Sequence, residues 1–370
     1  MGDSKRFWIG FNLVPGIGPA RMRLLLETFG NLENAWHGKP YALKQAGIPE
    51  KYVQGMVAIR ESADLEAEEQ RILDAGYSVL TWDDPGYPQR LLEIYAPPPL
   101  LYVQGTIVSQ DRIAVGIVGT RRASAYGRAV AEEVATNLAR NGITIISGLA
   151  RGIDAVAHRA ALQAGGRTIA VLGSGLNRIY PDEHRRLADD IREQGGVVSD
   201  YPLDTQPEGK NFPPRNRIIS GLSLAVIVVE AGESSGALIT ADFAAEQGRD
   251  VFAVPGDIFR PGSRGTNRLI RSGAAPLLST DDVLERLNME LVARQEHAVE
   301  VLPEDPIERD VLAMLSDEPL HVDEIGIRAG IPPAEVAASL AMLELKGRVR
   351  QMGGMHYILA REASAKYRVE

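Results

Sequence analysis

Between residues 113 and 278, apolar positions come in short unbroken runs, and most runs stop at a cluster of Gly, Ser or Arg. Residues 113–118 end in Gly119-Thr120-Arg121-Arg122, residues 143–146 in Ser147-Gly148-Leu149-Ala150-Arg151-Gly152, and residues 168–172 in Gly173-Ser174-Gly175. Runs without polar alternation suit strands covered on both faces. Between them, residues 128–140, 154–163 and 183–192 repeat apolar positions at helical spacing. Strand-helix-strand-helix-strand predicts an α/β fold with a doubly wound, mostly parallel sheet. Further strands are expected at 196–199, 224–229, 250–254 and 275–278. Helices are expected from Ile218 to a stop at Gly221, over 237–247, and through Arg271. Residues 200–211 are expected as irregular chain leading to Phe212-Pro213-Pro214-Arg215-Asn216-Arg217, with the helix beginning only at Ile218.

The flanks follow other periods. Trp8, Ile9, Phe11 and Leu13, the turn Pro15-Gly16-Ile17-Gly18-Pro19 and the helical run 21–29 predict a small helical domain over 1–76, of helix-hairpin-helix or SAM-like type. Such a turn can offer backbone N–H groups to a phosphate. Residues 77–105 form a connector with a strand at 77–81 and, after Pro97-Pro98-Pro99, an extended strap lying beside the sheet, because proline cannot donate to a ladder. The core domain is placed at 77–288 and a Pro-containing acidic linker at 289–306. Residues 307–361 predict three helices and a two-glycine hairpin at Gly353-Gly354, a winged-helix-like order suited more to protein contact than to reading bases.

Charge adds one correction to this picture. The net charge is −9, yet residues 111–275 carry 20 basic against 18 acidic side chains, and all the basic ones but Lys210 are arginine. Arginine concentrated between acidic flanks points to a focused anion site. The chain has no cysteine, which removes disulfides and zinc-thiolate sites and fits a reducing compartment. The N-terminal residues lack the regions of a signal peptide and no apolar run approaches a membrane span, so a cytoplasmic location is expected.

In a doubly wound sheet the ligand crevice lies beyond the carboxyl ends of the strands, where the glycine clusters fall. Glycines allow close approach, helix N-termini present N–H groups, and arginine supplies forked donors for phosphate. Arg121, Arg122, Arg151, Arg185, Arg186, Arg215 and Arg217 are expected on one rim, some of them instead pairing with Asp182, Glu183 or Asp154. Tyr180 and Phe212 sit close enough to stack on unpaired bases. A second Gly/Ser loop at Ser235-Gly236 opens the 237–247 helix. No Walker motif and no dinucleotide fingerprint is present, and the six histidines show no ligand spacing. Asp154 and His158, at i and i+4, predict a hydrogen bond on a helix surface and not a dyad. Glu230, at a strand end, is the best candidate acid/base, with hydrogen bonding to loop amides as its other role.

At these residues the chain resembles the bacterial DNA-processing protein A (DprA/Smf) family. The resemblance rests on Val118-Gly119-Thr120-Arg121, Ser147 to Ala155, Leu172-Gly173-Ser174-Gly175-Leu176 with Tyr180-Pro181, and Phe212 to Ser223. It continues through Val229-Glu230-Ala231, Ser235 to Ala241, Pro255-Gly256 and Gly265-Thr266-Asn267. It implies an extended Rossmann-like core that binds single-stranded DNA without catalysis or cofactor, forms a homodimer, and loads the RecA recombinase during natural transformation. It implies Arg121 as a phosphate holder and Arg185 or Arg186 as the basic position after Tyr-Pro. Together with the strand-end loops, the expected DNA contacts are Gly119, Thr120, Arg121, Arg122, Gly148, Arg151, Gly173, Ser174, Gly175, Arg185, Arg186, Arg215, Asn216, Arg217, Ser235 and Gly236. The competing class is a nucleoside-monophosphate-processing enzyme of phosphoribohydrolase type, with Glu230 at its centre.

Overall fold

The computed structural model describes residues 5–287, 306–316, 319–345, 349–352 and 354–359. The chain divides into two compact units, with the boundary after Arg286. The first begins with six helices: α1 (Lys5–Leu13), α2 (Pro19–Phe29), α3 (Leu32–His37), α4 (Pro40–Gln45), α5 (Glu50–Ser62) and α6 (Leu65–Asp74). The turn between α1 and α2 depends on Gly16, at φ +88°, where a Cβ would lie 2.2 Å from the Tyr52 ring. Trp8, Phe11, Met22 and Leu25 are fully buried, in one cluster with Tyr102, Val197 and Leu203 of the sheet region. The helical block and the core therefore share apolar interior.

Nine strands form the sheet: β1 (Ser78–Thr81), β2 (Leu100–Gly105), β3 (Ala114–Val118), β4 (Thr144–Ser147), β5 (Thr168–Val171), β6 (Gly196–Ser199), β7 (Ala225–Val228), β8 (Asp250–Ala253) and β9 (Ala275–Pro276). Their spatial order is β1-β2-β6-β5-β4-β3-β7-β8-β9. β3 pairs in parallel with β4 on one side and β7 on the other, so the strand order switches direction there and opens a crevice beyond their carboxyl ends. Every residue of β3, β4, β5, β6 and β7 is buried, as unbroken apolar runs require.

Two expectations fail here for one reason, the double meaning of proline. Residues 100–105 are not a strap but an internal strand, antiparallel to both β1 and β6. The three prolines stand just before the ladder, where no N–H is lost. After α7 (Gln89–Leu92), α8 (Ala125–Arg140), α9 (Ile153–Gln163) and α10 (Arg185–Gln194), α11 runs over Phe212–Leu222. Residues 212–217 are thus its first turns, with Pro213 and Pro214 at positions whose N–H has no helical partner anyway. Gly221 does not stop the helix; a Cβ there would lie 2.6 Å from Leu91, so glycine seats α11 on α7. Helices α12 (Gly236–Glu246) and α13 (Arg264–Arg271) follow, the second of them before β9.

In the second unit, helices Pro306–Met314, Val322–Ala329 and Pro333–Leu345 enclose Val311, Ile325, Val336, Leu340 and Leu343. Gly330 ends the middle helix at φ +66°, a left-handed cap. Strands β10 (Leu320–His321), β11 (Val349–Gln351) and β12 (His356–Leu359) form an antiparallel sheet in the order β10-β12-β11. Gly354 and Met355 turn the hairpin with positive φ; the expected Gly353 position and the linker to residue 305 lie outside the described residues. Among the described residues, no helix is long and apolar enough to cross a membrane.

Candidate functional site

An open groove of about 750 Å³ occupies the crevice. Its floor and walls come from the loop after β3 (Gly119 to Arg122), Asp154, Tyr180, the first turns of α11 (Phe212, Pro213, Arg215, Asn216) and the start of α12 (Ser235, Gly236, Ala237). A narrow recess joins Arg121, Gly148, Arg151 and Tyr180 beside it. Arg121 holds its guanidinium 5.5 Å from the centre of the Phe212 ring, and Tyr180 lies 5.8 Å from the same ring, tilted by 33°. Tyr180 remains 39% exposed, and Arg121 and Arg122 are exposed without an ion pair among the described residues. At the other end, the Ser235 side chain caps α12 by accepting from Ala237 N–H at 3.3 Å. The groove thus combines two unpaired cations, a stacking pair of aromatic rings and a helix N-terminus, which suits a phosphate next to a flat apolar group.

Beneath this surface lies a buried electrostatic core. Arg215 is 5% exposed and donates to the carbonyls of Gly148, at 3.0 Å, and Val171. Burial pushes its guanidinium down to about 10, with the nearby Asp154 carboxylate opposing the shift and Arg121 adding to it. Asp154 accepts from Gly148 N–H at 3.1 Å and Ala150 N–H at 3.4 Å. Burial raises its pKa, and Arg215 and the two amides partly offset this. Gly148 sits between the two charges: a Cβ there would lie 2.6 Å from the guanidinium and 2.9 Å from the carboxylate. The Asp154–His158 expectation fails, since both are buried and make separate contacts. His158 Nδ1 pairs with Thr168 Oγ1 at 2.6 Å, and burial lowers its pKa to about 3. Helical spacing locates both residues but does not say which face the sheet covers.

The seven arginines do not share one rim. Arg121, Arg122 and Arg215 line the groove and Arg151 the recess. Arg151 pairs with Glu183 at 2.8 Å and Arg185 with Asp182 at 2.8 Å. Arg186 is exposed on α10, outside the groove lining. Arg217 lies outside the groove lining and pairs with Asp200 at 2.7 Å, largely withdrawn from solvent. Gly173, Ser174 and Gly175 are buried below the groove; a Cβ at Gly173 would meet Phe212 at 2.9 Å, and the Ser174 hydroxyl donates to Arg178 O at 2.7 Å. Ser234 and Thr240, from the second Gly/Ser loop and the motif after it, also line the groove, as do Pro207 and Gly209, which no motif marked.

Glu230 serves as a clasp. Its carboxylate accepts from Ser124 N–H and Oγ–H, both at 2.9 Å, while its carbonyl accepts from Thr120 N–H at 2.7 Å. This is the loop-bonding role, and it fixes the Gly119–Arg122 loop over the crevice.

Comparison with known proteins agrees with this geometry. The family described as DNA recombination-mediator protein A matches residues 78–288, and the DprA winged helix domain matches 295–355. Protein Smf of Synechocystis is 37% identical over 96% of this chain and 99% of its own, and protein Smf of Escherichia coli 41% over 88% of each. The crystal structure of DprA from Streptococcus pneumoniae, at 36% identity, superposes with a TM-score of 0.68 over 77% of this chain and 98% of that one. A Helicobacter pylori DprA structure, described for its single-stranded DNA binding mode, is 30% identical with a TM-score of 0.53 over 58% and 96%. With a matching core, a winged helix domain and relatives spanning nearly the whole length, the chain belongs to the DprA/Smf family of DNA-processing proteins.

Proposed function

We propose that the protein is a non-catalytic single-stranded DNA-binding recombination mediator, and that the groove is where the strand lies. The observation carrying this reading is the pairing of unpaired Arg121 and Arg122 with the Tyr180–Phe212 rings in one groove open at its surface. Arginine takes the phosphates and the rings take unpaired bases, which duplex DNA would not offer. The single-stranded DNA binding of the Helicobacter pylori relative supports it. By family analogy, the protein acts as a homodimer in the cytoplasm, shields incoming strands during natural transformation and hands them to RecA. Of the expected contacts, Gly119, Thr120, Arg121, Arg122, Arg215, Asn216, Ser235 and Gly236 line the groove; Arg121 and Arg122 hold phosphate, and Arg215 supports the floor.

Fluorescence anisotropy of a labelled oligo-dT strand, with duplex and mononucleotide as competitors, tests the reading. Salt-dependent binding resisted by both competitors is expected. Effective competition by the mononucleotide would turn the groove over to small-molecule chemistry.

A further inference from the structure

The Gly265-Thr266-Asn267 motif lies outside the groove lining, yet it builds a surface continuous with it. Gly265 N–H donates to Ala231 O at 2.8 Å, and a Cβ there would lie 2.6 Å from that oxygen and 2.7 Å from Gly232 O. Gly232 lines the groove, so the start of α13 is pressed against the groove's end. Asn267 then clamps the preceding loop, accepting from Gly256 N–H at 3.1 Å and donating to Gly256 O at 2.9 Å. That loop holds Phe259 out in solvent at 84% exposure.

Helix α13 carries Arg264, Arg268 and Arg271, at i, i+4 and i+7 and therefore on one face. All three are exposed and form no ion pair among the described residues. This differs from Arg151, Arg185 and Arg217, each of which meets a carboxylate. Successive members stand about 4.5–6 Å apart along the axis. An extended row of unneutralised cations with an exposed aromatic beside it fits a flexible polyanion with stackable bases.

We propose that α13 and Phe259 form a second track, which takes the backbone of single-stranded DNA as it leaves the groove past Gly232. This rests on the groove reading above. A strand of roughly 6 nucleotides fills the groove alone, whereas one of roughly 16 reaches the track. The long strand then binds more tightly and with a steeper salt dependence than the short one. Replacing all three arginines by alanine leaves the short strand's affinity unchanged. It weakens the long strand about tenfold and flattens its log–log salt slope by about 0.7 for each lost phosphate contact. The Arg→Lys triple variant restores most of the slope, and Phe259→Ala weakens the long strand without changing it.

The experiment is an anisotropy titration of both strand lengths at several salt concentrations, with thermal melting and light scattering of each variant. Loss confined to the long strand in a folded variant of unchanged mass supports the track. Equal wild-type affinity for both lengths, or a triple variant that binds both like wild type, overturns it. A change of mass in the triple variant also overturns it, assigning the stripe to contact between copies of the chain. If the wild type binds neither length, the groove reading itself fails, a distinct result.

Discussion

The loops after β3 and after β5 look alike in sequence. Gly119-Thr120-Arg121-Arg122 and Gly173-Ser174-Gly175 each follow a buried parallel strand. In the fold they do opposite things. The first stands open, clasped from behind by Glu230 and presenting two unpaired guanidiniums. The second is closed: Phe212 covers Gly173, and a Cβ at Gly175 would lie 2.6 Å from Pro202 O. Glycine at a strand end can admit a ligand or admit another part of the same chain. The difference lies in what packs on top. Here Phe212 roofs the β5 loop and so becomes the wall of the β3 groove.

That contrast can be broken most severely at the layer separating the two. Arg215→Ala leaves the buried Asp154 carboxylate without its cation and two carbonyls unpaired, at a cost of about 3–5 kcal/mol. Denaturant melts should show a lower midpoint, and an unchanged midpoint would remove Arg215 from the support. Gly175→Ala presses a methyl on rigid backbone and should cost up to about 3 kcal/mol.

The same layer carries a pH signature. His158 titrates at about 3 when folded, against about 6.5 when unfolded. Its contribution is full above the unfolded value and is lost as pH falls toward the folded one, because the unfolded chain then binds the extra proton. About 2 kcal/mol should disappear between pH 7 and pH 5, and His158→Gln should flatten that slope in pH-dependent denaturant melts.

On the open side the effects move from stability to binding. Arg121→Ala should leave the melt within about 0.5 kcal/mol of wild type, while strand affinity falls about tenfold for every sequence alike, since phosphate contacts carry no base information. Smallest of all, Gly236→Ala meets nothing within 4 Å and should shift stability by less than about 1 kcal/mol, in the stabilising direction. A large loss there would mean that the α12 start is as closed as the β5 loop.

Much of this fold is legible in the chain, because unbroken apolar runs and helical spacing are local signals. The sheet strands between β3 and β8 and the four helices α8, α9, α10 and α12 come from that signal alone. Proline misleads in two places, 97–99 and 213–214, since the same residue breaks an element or opens one. The site is legible as a set of strand-end clusters, and less so as individual contacts. Asp182, Glu183 and Asp154 are legible as partners, but which arginine each one reaches is not: Glu183 goes to Arg151, the unforeseen Asp200 to Arg217, and Asp154 towards Arg215. Those partners are 32, 17 and 61 positions away, beyond any local pattern.

The most direct test of the open groove is the salt dependence of oligo-dT binding by wild type and Arg121→Ala. The account predicts that the substitution lowers affinity and reduces the log–log slope by about 0.7, one phosphate's share, with the melt unchanged. Equal affinity and equal slope in the two proteins would contradict it and take Arg121, and with it the open β3 loop, out of the DNA site.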